Sequence, residues 1–219
     1  KRVDVKYNPA SKQYVVVSAA RSYRPNSQDL PLIALVNPNS VAGDDNPVAK
    51  AFVYDGESTV SYDDVAVAVS TNNGNILVVG EHDFDGEGEG VVGAMLDKDG
   101  NILTPEFTRL DRLQATGDED DPDVLFLPNN DVFVFLVNTD GDAAPDLLDR
   151  ITGSVIQPVP DADGKLQLGD QVVLGADRKE GVAEGHPAAI ENPFTNELIG
   201  ALDYNNGADG GDLFYFQVG

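Results

Sequence analysis

Four times along its length the chain repeats one pattern: a short apolar strand, a tight turn, and a second apolar strand. The first copy is Val3–Pro9, a turn at Ala10–Lys12, and Gln13–Val17. The second is Asp64–Ser70, a turn at Asn72–Gly74, and Asn75–Val79. The third is Pro122–Pro128, a turn at Asn129–Asn130, and Asp131–Phe135. The fourth is Pro187–Pro193, a turn at Phe194–Asn196, and Glu197–Ala201. Aligned on Gln13, Asn75, Asp131 and Glu197, the copies are 62, 56 and 66 residues apart. Self-similarity at such a period marks a unit that buries its apolar face only by stacking on its neighbours. The spacing is that of one four-stranded blade with long loops.

Each copy continues in the same order. Third strands are expected at Leu32–Val36, Gly90–Leu96, Asp146–Thr152 and Leu213–Val218. Turns follow at Asn37–Ser40, Asp97–Asn101 and Asp161–Lys165, where Asn, Asp and Gly supply the backbone geometry that hairpins need. Fourth, edge-type strands follow at Ala49–Tyr54, Ile102–Leu110 and Leu166–Leu174. Helical periodicity is absent, and the 13 prolines fall at turns or strand edges. The fold class is therefore all-β: a β-propeller of four-stranded antiparallel blades, about four of them visible. Residues 1–219 read as one propeller domain or segment, with blades near 1–57, 58–115, 116–178 and 179–219. The last copy stops after its third strand, which would leave Leu213–Phe216 as an unpaired apolar edge. A portion of a larger propeller is the expectation, and Lys1-Arg2 running straight into a strand pattern suits a mature or ordered portion.

Between the second and third strands lie acidic, glycine-rich loops. In Asn138–Asp146 (Asn-Thr-Asp-Gly-Asp-Ala-Ala-Pro-Asp) oxygen donors fall at positions 1, 3, 5, 7 and 9: Asn138, Asp140, Asp142, the Ala144 carbonyl and Asp146. A hard cation such as Ca²⁺ takes about 6–8 oxygens from that kind of curled loop, and Gly141 permits the sharp turn. The second copy carries Glu81, Asp83, Asp85, Glu87 and Glu89 at alternate positions; these carboxylates repel one another unless a cation or solvent screens them. The fourth copy has Asp203, Asn205, Asp209 and Asp212, with one extra residue in the loop. The first copy has Arg21 and Arg24 there and only Asp29, so no metal is expected. Asp118–Asp121 reads as a solvated charge run, with a cross-blade ligand as its alternative. The competing reading of all these loops is an acidic surface turn without metal, since Asn, Asp and Gly are ordinary turn residues.

The Asn138–Asp146 loop resembles the calcium loops between strands of integrin α-subunit propellers (FG-GAP-like) and of related secreted propeller repeats. The wording of residues 60–150, with Asp-Asp-Val-Ala-Val-Ala, Gly-Asn-Ile-Leu-Val-Val and Gly-Ala-Met-Leu-Asp-Lys-Asp-Gly-Asn, resembles the blade-type repeats of large secreted bacterial RTX and adhesin-like proteins. The resemblance implies an extracellular or cell-surface, calcium-rich setting.

Charge narrows the partners. Lys+Arg 14 against Asp+Glu 38 gives a formal charge of −24, a field that repels nucleic acid and anionic membranes and attracts cations. Apolar runs fall far short of the roughly 20 residues of a membrane helix, so no membrane insertion is expected. With no cysteine there is no disulfide, thiolate catalysis or Cys-based metal site.

Catalytic motifs are scarce. His82 and His186 are the two histidines, and both are expected at the surface. No Gly-x-Ser-x-Gly elbow, phosphate loop with Lys, or His-Glu-x-x-His occurs. Sialidase-type Asp boxes are missing along with Trp. Carboxylate pairs are plentiful, but their turn-type setting suits chelation better than acid catalysis. The expectation is thus a calcium-stabilised propeller without enzymatic activity, serving binding or assembly with another surface protein, a glycan or copies of itself. The alternative is a calcium-dependent propeller hydrolase such as a phytase-like phosphatase.

Overall fold

The computed structural model describes residues 3–21, 29–38, 48–53, 62–84, 88–104, 107–110, 118–140, 150–173, 183–192, 195, 197–205 and 211–218. The described elements are all strands, joined as successive antiparallel sheets. The first sheet is β1 (Val3–Asn8), β2 (Gln13–Arg21), β3 (Asp29–Val36) and β4 (Val48–Val53). The second is β5 (Tyr62–Val69), β6 (Ile76–Phe84), β7 (Gly88–Leu96) and β8 (Thr108–Arg109). The third is β9 (Asp118–Leu127), β10 (Val132–Asp140), β11 (Arg150–Ile156) and β12 (Val172–Val173). The fourth is β13 (Ala183–Glu191), β14 (Leu198–Asn205) and β15 (Gly211–Val218). In every sheet the strands lie in sequence order, and β1, β5, β9 and β13 lie one against the next. That is the blade arrangement of a propeller, with the first strands innermost around the axis.

The middle sheets are apolar on both faces because each is covered twice. Along β6, Ile76 and Val78 pack toward the first blade with Val15, Val17, Ile33 and Leu35. Leu77 and Val79 turn the other way, onto Phe133, Phe135 and Val137 of the third blade. The period of two sends alternate side chains to opposite faces, so a doubly covered strand reads as an unbroken apolar run. A third cluster, Val134, Leu136, Ile151 and Leu198, joins the third and fourth blades. Each fully buried Leu, Ile or Phe in these seams contributes roughly 1.5–3 kcal/mol.

Two sequence expectations need adjustment. The fourth strands expected at Ile102–Leu110 and Leu166–Leu174 are broken ladders. Thr104 Oγ1 accepts from Met95 N at 2.7 Å, taking the place of a backbone carbonyl, and among the described residues ladder pairing is next seen at β8. In the third blade Ser154 Oγ donates to Gly169 O at 3.0 Å and Gln171 Nε2 to Thr152 Oγ1 at 2.8 Å, ahead of the ladder pairing at β12. The third strand expected at Asp146–Thr152 runs on to Ile156, with Gly153 and Ser154 paired with β10 in register.

The two ends of the disc differ. The hairpins between first and second strands are sewn across blades by asparagines. Asn8 Nδ2 donates to Gly74 O at 2.9 Å, Asn72 Nδ2 to Asp131 Oδ1 at 2.9 Å, and Asn75 Nδ2 to Pro158 O at 2.8 Å. Gly74 sits at φ +81°, where an added Cβ would lie 2.6 Å from Ala10 Cβ. The opposite end holds the beginnings of the first strands and the acidic connections.

Candidate functional site at the axial strand ends

At this opposite end the first strands of the second, third and fourth blades share one irregularity. Asp64 is an extra residue between the Asp63–Glu81 and Val65–Gly80 pairs. Asp121 and Pro122 together face Val137, between Asp120–Asn138 and Asp123–Leu136. His186 and Pro187 face Leu202, between Gly185–Asp203 and Ala188–Ala201. Each is a β-bulge, with two residues opposing one, and bulges re-aim side chains beside active sites. Proline fits here because the bulge leaves its missing N–H unneeded.

The bulges thus place Asp64, Asp121 and His186 at one level on three adjacent axial strands. Asp64 and Asp121 are half-buried. Asp121 has φ +53°, a left-handed backbone uncommon for a non-glycine residue and concentrated at functional sites. The reading of the sequence missed this trio. Its signal was present: each first strand from the second copy onward is one residue too long for the ladder that its hairpin begins.

One rung beyond the bulges, the second strands carry the leading residue of each loop expected to bind calcium. Glu81, Asn138 and Asp203 occupy the same rung counted from their hairpins, and Ala19 takes that place in the first blade. Glu81 and Asn138 are buried. Asn138 Oδ1 makes no hydrogen bond, and a buried acceptor left so costs about 1–3 kcal/mol. Asp83 pairs with Glu89 across β6 and β7, Asp140 with Asp118, and Tyr204 with Asp212, while Asn205 ends β14 opposite Gly211. Asp85, Glu87, Asp142, Ala144, Asp146 and Asp209 lie outside the described residues. His82, expected at the surface, is 6% exposed; its rung neighbours are Tyr62 and Gly90, and the glycine leaves room for the ring.

Two further carboxylates join the blades at the axis. Asp4 Oδ2 accepts from Val67 N at 3.0 Å, and Asp123 Oδ2 from Ala189 N at 3.2 Å. Asp4 also meets Lys6 Nζ at 3.1 Å. These carboxylates satisfy edge N–H groups of the next axial strand and so tie together the strands that carry the bulges.

No protein-family model and no curated protein sequence matches the chain. Solved structures do. An N-acetylgalactosamine deacetylase from F. plautii, in complex with blood group B trisaccharide, matches with a TM-score of 0.56 and 13% identity, over 94% of this chain and 62% of that one. An endo-1,5-alpha-L-arabinanase from Thermotoga petrophila matches with a TM-score of 0.52 and 17% identity, over 98% and 55%. The polysaccharide lyase Uly1 matches with a TM-score of 0.50 and 11% identity, over 98% and 45%. The chain therefore spans about half to three-fifths of the length of these proteins. The likeness establishes the blade-type all-β fold, and it corrects the expectation of a chain without enzymatic activity: these structures are all of carbohydrate-processing enzymes.

Proposed function

We propose that the chain forms the catalytic propeller, or a four-blade part of one, of a carbohydrate-processing hydrolase. The observation that carries this reading is the placement of Asp64, Asp121 and His186 on equivalent bulges of adjacent axial strands. Glycoside cleavage needs two carboxyl groups on either side of the scissile bond. One protonates the leaving oxygen; the other, ionised, activates water or attacks the sugar carbon. Asp64 and Asp121 are cast in these two roles, with His186 as a third polar group at the same end. The left-handed backbone of Asp121 is the kind of costly conformation that is concentrated at functional sites, which supports its assignment.

The enzymes of similar fold support a saccharide substrate over the phosphate ester of a phytase-like reading. A polymeric substrate too large to enter a cell also fits the extracellular setting that the sequence resemblance implies. The test is release of reducing ends from a panel of soluble polysaccharides, arabinan among them, by the purified chain and by its Asp64→Asn and Asp121→Asn variants. Release that depends on both residues supports the reading. Release that survives both substitutions would remove these carboxylates from the chemistry.

A further inference from the structure

Two sheet faces of the molecule are built as blade seams and meet no blade among the described residues. On the outward side of the first blade, Val3, Val5, Tyr7, Tyr14 and Val16 share one face, since Val5 pairs with Val16 and Tyr7 with Tyr14. Counted from their hairpins, Val5, Tyr7, Tyr14 and Val16 stand where Val67, Val69, Ile76 and Val78 stand in the second blade, all buried against the first. In the first blade these positions are open: Val3 is 62% exposed and Val5 47%, and the rings of Tyr7 and Tyr14, 5.3 Å apart, are exposed beside them. The outward side of the fourth blade is the counterpart. Ala188, Ile190, Ile199 and Ala201 take the places of Ala66, Ala68, Leu77 and Val79, which in the second blade are buried against the third. Here Ile190 is 67% exposed, so the two outward faces do not cover one another within one copy.

We propose that these faces pack on each other between copies of the chain, the fourth blade of one against the first blade of the next. Every seam inside the chain joins the onward face of one blade to the backward face of its successor. The contact between copies repeats that join. It also continues an alternation along the row. Asp4 and Asp123 reach over the seams that follow the first and third blades, while Ala66 and Ala188 hold the same rung in the second and fourth. The alanine-bearing face of the second blade is covered by the third, an Asp-bearing blade. The matching face of the fourth is offered the first, the other Asp-bearing blade. The new seam needs no carboxylate from Ala188, because Val5 N, the counterpart of Val67 N and Ala189 N, donates to Asp4 Oδ1 of its own strand at 2.7 Å. One chain thus carries both halves of a seam, which favours a second copy over a different protein as the occupant. Such a head-to-tail contact closes into a ring when its rotation allows, and exposed apolar patches of this kind mark association surfaces. The proposal stands independently of the catalytic reading.

The experiment is analytical ultracentrifugation of the purified chain over a range of concentrations, joined to disulfide trapping. A dimer or larger assembly is expected. Its formation should strengthen with salt, because a net charge of −24 on each copy opposes association and added ions screen it. Val5→Asp and Ile190→Asp replace exposed residues on the two faces, so both variants should match the original chain by circular dichroism. Each should weaken association roughly tenfold or more, the loss of one buried aliphatic side chain. The chain has no cysteine, so single introduced thiols report the pairing. Val5→Cys and Ala188→Cys, mixed and oxidised, should form the mixed disulfide in preference to either symmetric one. A chain that stays monomeric at every concentration would overturn the proposal and leave the faces to a further blade or another protein. Association unchanged in either aspartate variant, association weakened by salt, or symmetric disulfides forming as readily as the mixed one would each overturn it as well.

Discussion

The Asp4 carboxylate accepts a hydrogen bond from the backbone N–H of Val67 at 3.0 Å, across the seam between the first two axial strands. The contact recurs two blades on, between Asp123 and Ala189 at 3.2 Å, and on equivalent rungs. Ala66 takes this place in the second blade, buried in the seam with the third. Propeller blades share no backbone ladder, so a carboxylate reaching over the seam is one of the few directional ties that apolar packing leaves room for.

Removal of either carboxylate leaves an edge N–H without its acceptor. Asp4→Ala and Asp123→Ala are each expected to lower stability by about 1–3 kcal/mol, read from urea unfolding. The two sites lie in different seams, so their effects should add. An effect within about 0.5 kcal/mol of zero, the range of ordinary surface substitutions, would show that the contacts do not hold the blades.

Gly74 is irreplaceable on steric grounds. Its φ of +81° disfavours any side chain, and a Cβ would stand 2.6 Å from Ala10 Cβ and 2.8 Å from Lys98 Cβ. Gly74→Ala should cost about 2 kcal/mol or more, measurable as a lower urea midpoint with an unchanged slope. A neutral substitution would mean that the hairpins of the first two blades do not meet there.

Asp97 gives the stability an acid limb. Burial works to raise its pKa, but hydrogen bonds from Asn101, through backbone and side chain, and from the Asp99 N–H, with the nearby Lys50 charge, outweigh it and hold the carboxyl below its ordinary value. A group depressed in the folded state stabilises above its unfolded pKa, and that contribution is lost as pH falls through the folded value. The stability difference between the original chain and Asp97→Asn should therefore be constant above about pH 5 and shrink below about pH 4. Urea unfolding across that range checks it; a difference independent of pH would contradict it.

The blades were legible because their hairpins are written in local chemistry. Asn8 Oδ1 accepts from Ala10 N, Ser70 Oγ from Asn72 N, and Asp97 Oδ1 from Asn101 N, so the turn residues that mark the repeat also build it. The edge strands were less so, since Thr104 and Ser154 replace backbone partners through side-chain hydroxyls that no periodicity reveals. Least legible were the axial bulges. Asp64 and Asp121 look in sequence like acidic flanks, and only the register with β6 and β10 shows each to be an extra residue in its strand. Turn chemistry is local and can be read along the chain; register is a property of two strands at once.

The most direct test of the account is polysaccharide cleavage by the Asp121→Asn variant, with melting temperature and circular dichroism matched to the original chain. Loss of one of two catalytic carboxylates is expected to lower the rate of reducing-end release by about a hundredfold or more, the contribution of a positioned acid or base. A folded Asp121→Asn protein that cleaves as fast as the original would contradict the assignment of catalysis to the axial bulges.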